Sequence, residues 1–269
     1  MKGDFMEKID LKQELEKQAT SKGKSEEVKL TKNMSIPDMV KAMMPEIKKA
    51  LPSVITPERF TRIALSALNN TPQLQQCTPI SFLAGLLNAA QLGLEPNTPL
   101  GQAYLIPYKN KGVLECQFQI GYKGFIDLAY RNGQMQTIQA QAVYENDEFV
   151  YEYGLEPKLI HRPTSSERGE LVYFYGIFRT VNGGYGFSVM SKQDMDIYAK
   201  TYSKAFDSGY SPWKTCYEEM AKKTVIKQAL KYAPIKTDFQ RAISTDETIK
   251  KQLAEDMCLV QNEIVTENE

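Results

Sequence analysis

At 269 residues and 30.5 kDa the chain can bury a substantial core, and 42% hydrophobic with 25% charged residues is globular rather than fibrous or disordered composition. Lys+Arg 33 balances Asp+Glu 33, which excludes a uniformly basic protein but leaves room for a strongly segregated layout of charge. Cys77, Cys116, Cys216 and Cys258 form no C-x-x-C pair and His161 is the sole histidine, a poor donor set for structural zinc.

Residues 1–34, rich in Lys, Glu, Gln and Ser, read as a mobile polar arm. Gly23-Lys24-Ser25 resembles the end of a phosphate-binding loop, but Gln18 stands where that motif needs glycine, and no strand precedes it. No basic region followed by an apolar stretch opens the chain and no apolar run reaches membrane-spanning length, so a cytoplasmic protein without a membrane partner is expected.

Helix starts follow at Ser35-Ile36-Pro37, Thr56-Pro57 and Thr78-Pro79, each a capping hydroxyl with proline close behind; Gly93 ends the third. After Pro99 the apolar period falls to two. Leu114, Cys116, Phe118, Ile120 and Tyr122 alternate with Glu115, Gln117, Gln119 and Gly121, a strand with one apolar face and one face of polar amides. Its hairpin partner is 102–108, through a turn carrying Lys109 and Lys111. Further strands are expected at 136–144, 149–153, 171–180 and 185–190, the last two joined about Asn182-Gly183-Gly184. Ser191 and Asp194 open another helix as a capping box.

Ser211-Pro212 begins what reads as one long helix from Trp213 to Lys231, stopped before Pro234. On a helical wheel Ala221, Val225, Ile226, Ala229 and Leu230 share one arc. Lys223, Lys227 and Lys231 form an opposite ridge beside Trp213, whereas Lys222 falls among the apolar residues and must snorkel or face a groove. Lysines one turn apart suit a phosphate backbone and an aromatic ring suits an unpaired base; a solvated helix face has the same pattern. Residues 200–236 hold eight lysines against three acids, a local charge of +5, and 246–269 hold seven acids against two lysines, a charge of −5. The latter reads as an acidic tail that shields the basic groove, docks a partner, or merely solubilises. Asp147, Glu148 and Glu152 leave a metal-dependent nuclease as a rival reading, and solvated charge at a turn as the simpler one. His161 lacks an obvious catalytic partner.

The ordered stretches Leu92-Gly93-Leu94-Glu95-Pro96, Ala103-Tyr104-Leu105-Ile106-Pro107-Tyr108, Gln119-Ile120-Gly121-Tyr122-Lys123-Gly124, Asp127-Leu128-Ala129-Tyr130-Arg131, 143–149, Pro212-Trp213 and Met220-Ala221-Lys222-Lys223-Thr224 together resemble the RecT family of phage and prophage recombinases, over roughly Ser35 to Thr237. The resemblance implies an α+β fold, with a curved antiparallel sheet and hairpins backed by helices, a helical N-terminal part and a single annealing core over 35–245. It also implies annealing of complementary single-stranded DNA without ATP, passage through a paired duplex intermediate, and self-association into rings or helical filaments. A partner exonuclease and a host single-strand-binding protein would share the DNA in the cytoplasm of a bacterial host. No covalent chemistry and no cofactor are expected, magnesium acting on the DNA rather than at a protein site. A passive single-strand protector would carry the same residues. The DNA-contact role carries over to Lys109, Lys111, Gln117, Gln119, Tyr122, Lys123, Arg131, Trp213, Lys214, Lys222, Lys223 and Lys227, with Arg162 added beside an expected strand end.

Overall fold

Helices α1 (Ile36–Ala42) and α2 (Met44–Ala50) lead into α3 (Pro57–Asn70), whose Thr56 hydroxyl accepts the Arg59 N–H at 3.3 Å while Pro57 occupies the first turn. A short 3-10 turn (Pro72–Gln76) separates it from α4 (Pro79–Leu92). The run Ser81–Ala90 of α4 is buried on every side, which is how a helix without a polar face must sit. It ends on Gly93 at φ +58, where a Cβ would collide with the Pro52 ring.

This computed structural model describes residues 34–131, 133–203, 206, 211–234, 237–254 and 256–262, with backbone alone at 237–239. The arm expected over 1–34 lies outside the described residues except for Met34, as do 263–269 of the acidic tail. Ser35–Glu269 cluster as one compact unit.

The first sheet is the antiparallel hairpin β1 (Ala103–Asn110) and β2 (Val113–Ile120), closed by Lys111 and Gly112 at φ +47 and +81. Its apolar face lies on α4, where Gly85 admits the Leu105 and Phe118 side chains. The opposite face is not the wet amide surface that alternation predicts. Glu115 and Gln119 are buried: Glu115 pairs with Lys251, the Gln117 amide donates to the Glu247 carbonyl, and the Gln119 amide lies 3.7 Å from Met220 Sδ. Phe118 and Thr248 exchange backbone hydrogen bonds, so the segment after residue 245 flanks β2 as a third, one-bridge strand.

Helix α5 (Tyr122–Tyr130) leaves β2 at Gly121; a Cβ on Gly121 or Gly124 would strike the Gly101 or Gln102 carbonyl. A second antiparallel sheet, ordered β3 (Met135–Tyr144), β6 (Leu171–Thr180), β7 (Tyr185–Ser191), is followed by α6 (Lys192–Tyr202), whose Ser191 hydroxyl accepts the Asp194 N–H as the capping box predicts. The hairpin β4 (Glu148–Glu152) and β5 (Lys158–Arg162) stacks aromatic rings on the outer face of this sheet: Phe149 on Tyr173 and Tyr175, Tyr153 on Phe187.

The long helix expected from Trp213 to Lys231 is two pieces, α7 (Pro212–Thr215) and α8 (Tyr217–Leu230), broken at Cys216 with φ −140 and ψ 47. Helix α8 crosses the inner face of the second sheet, close enough that a Cβ on Gly176 would lie 2.7 Å from the Val225 carbonyl. Trp213, Phe174, Met195, Ala142 and Val225 form one core cluster. Helix α9 (Thr237–Thr245) then returns the chain to β2. The architecture is mixed helix and antiparallel sheet, in three sheets among the described residues.

Candidate nucleic-acid interface

Four of the side chains expected at DNA converge where β2 turns into α5. Gly121 caps α5 without a side-chain acceptor, and the positive end of the helix dipole lies beside the Gly101–Gln102 turn. Lys123 and Tyr122 occupy its first turn, the Lys123 ammonium 6.0 Å from the Tyr122 ring centroid. Tyr104 of β1 lies alongside. A Cβ on Gly101 would stand 3.1 Å from the Tyr104 hydroxyl and 3.6 Å from Lys123 Cδ, and one on Gly121 would stand 3.1 Å from Tyr104 Cε2. The first turns of α8 form the other wall, with Lys222 2.6 Å from Glu218, with Glu219, and with Met220 against Gln119 of β2.

The charges explain the titration of this wall. Burial, then the Glu219 carboxylate, raise the Tyr122 phenol above its usual pKa while Lys222 opposes them. Burial, then Cys216 and Glu219, do the same to Tyr104. Burial works against the Lys222 ammonium, but its hydrogen bond to Glu218 and the charges of Glu218 and Glu219 outweigh it, so Lys222 stays protonated. Lys222 keeps 19% of its side chain exposed, which suits either reading of its wheel position, a snorkelling lysine or one facing a groove.

The other expected contacts lie elsewhere. Lys109 and Lys111 are exposed at the far end of the β1–β2 hairpin, about eight residues, or roughly 26 Å, from the α5 end. Gln117 is turned toward Glu247. The Arg131 guanidinium donates to the Leu92 and Gly93 carbonyls and pairs with Asp127, closing the C-terminus of α4. Arg162 pairs with Glu148 across β4–β5. Trp213 is in the core, 5.7 Å from the Tyr217 ring, and has no face for a base; Lys214 beside it is exposed.

The exposed ridge of Lys223 and Lys227 is corrected by an ionic node. Lys223, with 3% of its side chain exposed, sits 3.0 Å from Asp246 and 2.8 Å from Glu247; Lys227, 22% exposed, sits 2.8 Å from Asp246. Both ammonium groups approach the Phe125 ring, at 5.9 and 5.5 Å. The wholly buried Asp246 also accepts the Ile120 N–H at 2.8 Å. Burial works against its charge, yet the two lysines hold the carboxyl below the usual range. The start of the acidic segment is thus a structural partner of the basic one.

Asp147, the centre of the nuclease reading, is equally committed. Its buried carboxylate accepts from Arg168, His161 Nε2, and the Tyr144 and Thr164 N–H groups, and Arg168 holds it far below the usual carboxylate range. No group of acids, histidines and cysteines able to hold a metal occurs among the described residues, and no described helix is long and apolar enough to cross a membrane.

Tyr104, Glu218, Glu219 and Cys216 were not singled out by sequence. The Glu218-to-Lys222 spacing of four was a readable signal for the first acid; Tyr104 stands in one of the family stretches, but its place beside α5 depends on the register of β1.

The RecT family model matches residues 58–257, a span that contains the whole groove. The chain is 42% identical over 210 residues to Protein RecT of Escherichia coli (strain K12), covering 77% of each chain. It is 29% identical over 197 residues to the uncharacterized protein YqaK of Bacillus subtilis (strain 168), covering 72% of this chain and 66% of that one.

Proposed function

Because the chain belongs to the RecT family and so is a single-strand annealing protein of recombination, we propose that the groove between α5, β1 and α8 is where it holds DNA. One observation carries this assignment: an uncapped helix end, two lysines and two tyrosines meet at one surface. Lys123 and Lys222 engage phosphates, and the α5 N–H groups add a fixed partial charge. Tyr104 and Tyr122 offer ring faces to unpaired bases, leaving the pairing edges free. A second strand is retained when complementary, because stacking in the new duplex supplies about 1.4 kcal/mol per step. Pairing then needs neither ATP nor covalent chemistry.

Copies of the chain align their grooves in a ring or filament on DNA, a partner exonuclease supplies the single strands, and the setting is the bacterial cytoplasm. Annealing of labelled complementary oligonucleotides without nucleotide, at fixed salt, tests the proposal. Acceleration that Lys222→Ala weakens supports it; binding with slower pairing would make the protein a protector, and shortening of a labelled strand with magnesium a nuclease.

A further inference from the structure

The turn that carries Gly101 has a second side. Thr98 to Gly101 is a tight turn closed by the Gly101 N–H on the Thr98 carbonyl at 3.0 Å. Its Gly101 end lies beside the groove, where an added Cβ would meet Tyr104 and Lys123. Its Thr98, Pro99 and Leu100 line a cleft of about 620 Å³ whose other wall is the start of α3, with Arg59, Arg62 and Ile63. The charges there are not equivalent. Glu95 is turned inward and held bidentate by Arg59, at 2.7 and 3.2 Å. Arg62 is exposed and makes no ion pair among the described residues, with Glu58 as the opposing acid at the rim. Leu100 is half exposed, an apolar shelf beside a free guanidinium.

We propose that this cleft is a second single-strand subsite, continuous with the α5 groove across the Thr98–Gly101 turn. Arg62 takes a phosphate, the outer edge of Arg59 supports it, and Leu100 and Pro99 pack against a base. The strand thus runs from Lys222 and Tyr122, past Lys123 and Gly101, to α3. This rests on the groove being the DNA site, and it adds a length: short oligonucleotides fill the groove alone, longer ones reach the cleft. Arg62 is exposed and its side chain has no partner among the described residues, so its replacement leaves the fold intact.

The test uses full-length protein with oligothymidylates of about 4 and about 12 nucleotides, a span typical of single-strand sites. Arg62→Gln should weaken binding of the longer one roughly fivefold and lower its salt slope by about 0.7, the share of one phosphate on a single strand, and leave the shorter one unchanged. Leu100→Trp adds an emitter to a chain with one buried tryptophan; only the longer oligonucleotide should quench it. Equal binding by Arg62→Gln, with Lys222→Ala still weakening both lengths, overturns the cleft and keeps the groove. Loss of Leu100→Trp exposure on protein concentration alone overturns it too, by showing a second copy in the cleft. If neither length binds the unmodified protein, groove and cleft fall together.

Discussion

Lys222 and Lys223 are neighbours on one helix, yet their surroundings are opposite. Lys222 keeps 19% of its side chain exposed beside one solvent-shared carboxylate, Glu218, four residues away. Lys223 is enclosed with Asp246 and Glu247, and Lys227 joins it one turn on. The hundred degrees between successive helix positions separates a cation that can trade its partner for a phosphate from one that cannot leave without exposing a buried carboxylate. Local lysine density is therefore a poor guide to a DNA surface; what matters is the acid each lysine already holds.

The largest expected effect lies on the enclosed side. Asp246→Ala leaves two ammonium groups and the Ile120 N–H short of an acceptor, and should cost about 3 kcal/mol, the low end for breaking a buried pair because Glu247 remains to Lys223. Urea unfolding measures it. A loss below about 1 kcal/mol would show the node to be solvent-shared and erase the contrast with Lys222, whose exposed pair is worth only a few tenths of that.

Next comes the groove. Lys222→Ala should reduce affinity for single-stranded DNA about fivefold and lower the salt slope by about 0.7 with little change in stability, whereas Lys223→Met should lower the melting temperature first. Equal effects of the two on the salt slope would return Lys223 to the DNA surface. Acid sharpens the same comparison. Asp147 and Asp246 are held below the carboxylate pKa of an unfolded chain, so both stabilise the fold above about pH 4 and lose that contribution as pH falls below it. Thermal melts between about pH 5 and 2 should show a steep loss that Asp147→Asn flattens; a parallel curve would mean that Asp147 ionises as it does unfolded.

Much of this fold was written locally. Thr56-Pro57, Thr78-Pro79, Gly93 and the Ser191 box act within three or four residues, and each marks a real helix end. What escaped the sequence depends on partners distant in the chain. The alternation in β2 forecasts a polar face, and the return of 246–251 together with Met220 of α8 buries it. The lysine ridge looked free because its acids, Asp246 and Glu247, follow some twenty residues later, in what read as a tail. The break at Cys216 has no proline or glycine to announce it, and the alternation read as a strand through Tyr122 runs past the real end of β2 at Ile120 into the start of α5. For the site, the family stretches contain Tyr104, Tyr122, Lys123 and Lys222, but the DNA-contact role carries over to the last three and not to Tyr104.

The smallest effect tests whether the groove is poised by competition. In the free protein Glu218 holds Lys222 at 2.6 Å on a surface where both side chains reach solvent. An i,i+4 pair of this kind is worth about 0.3 to 0.5 kcal/mol. Phosphate binding must release Lys222 from that carboxylate, so Glu218→Gln should strengthen binding by about twofold, the same energy read as affinity, and leave the salt slope nearly unchanged because no cation is gained or lost. The sign carries the argument. Tighter binding means Glu218 competes with phosphate for Lys222; weaker binding means the carboxylate aims the lysine into the groove and the open wall is preorganised. Anisotropy at low salt, where a twofold change is resolved, distinguishes them, and the enclosed Lys223 node should not respond to either.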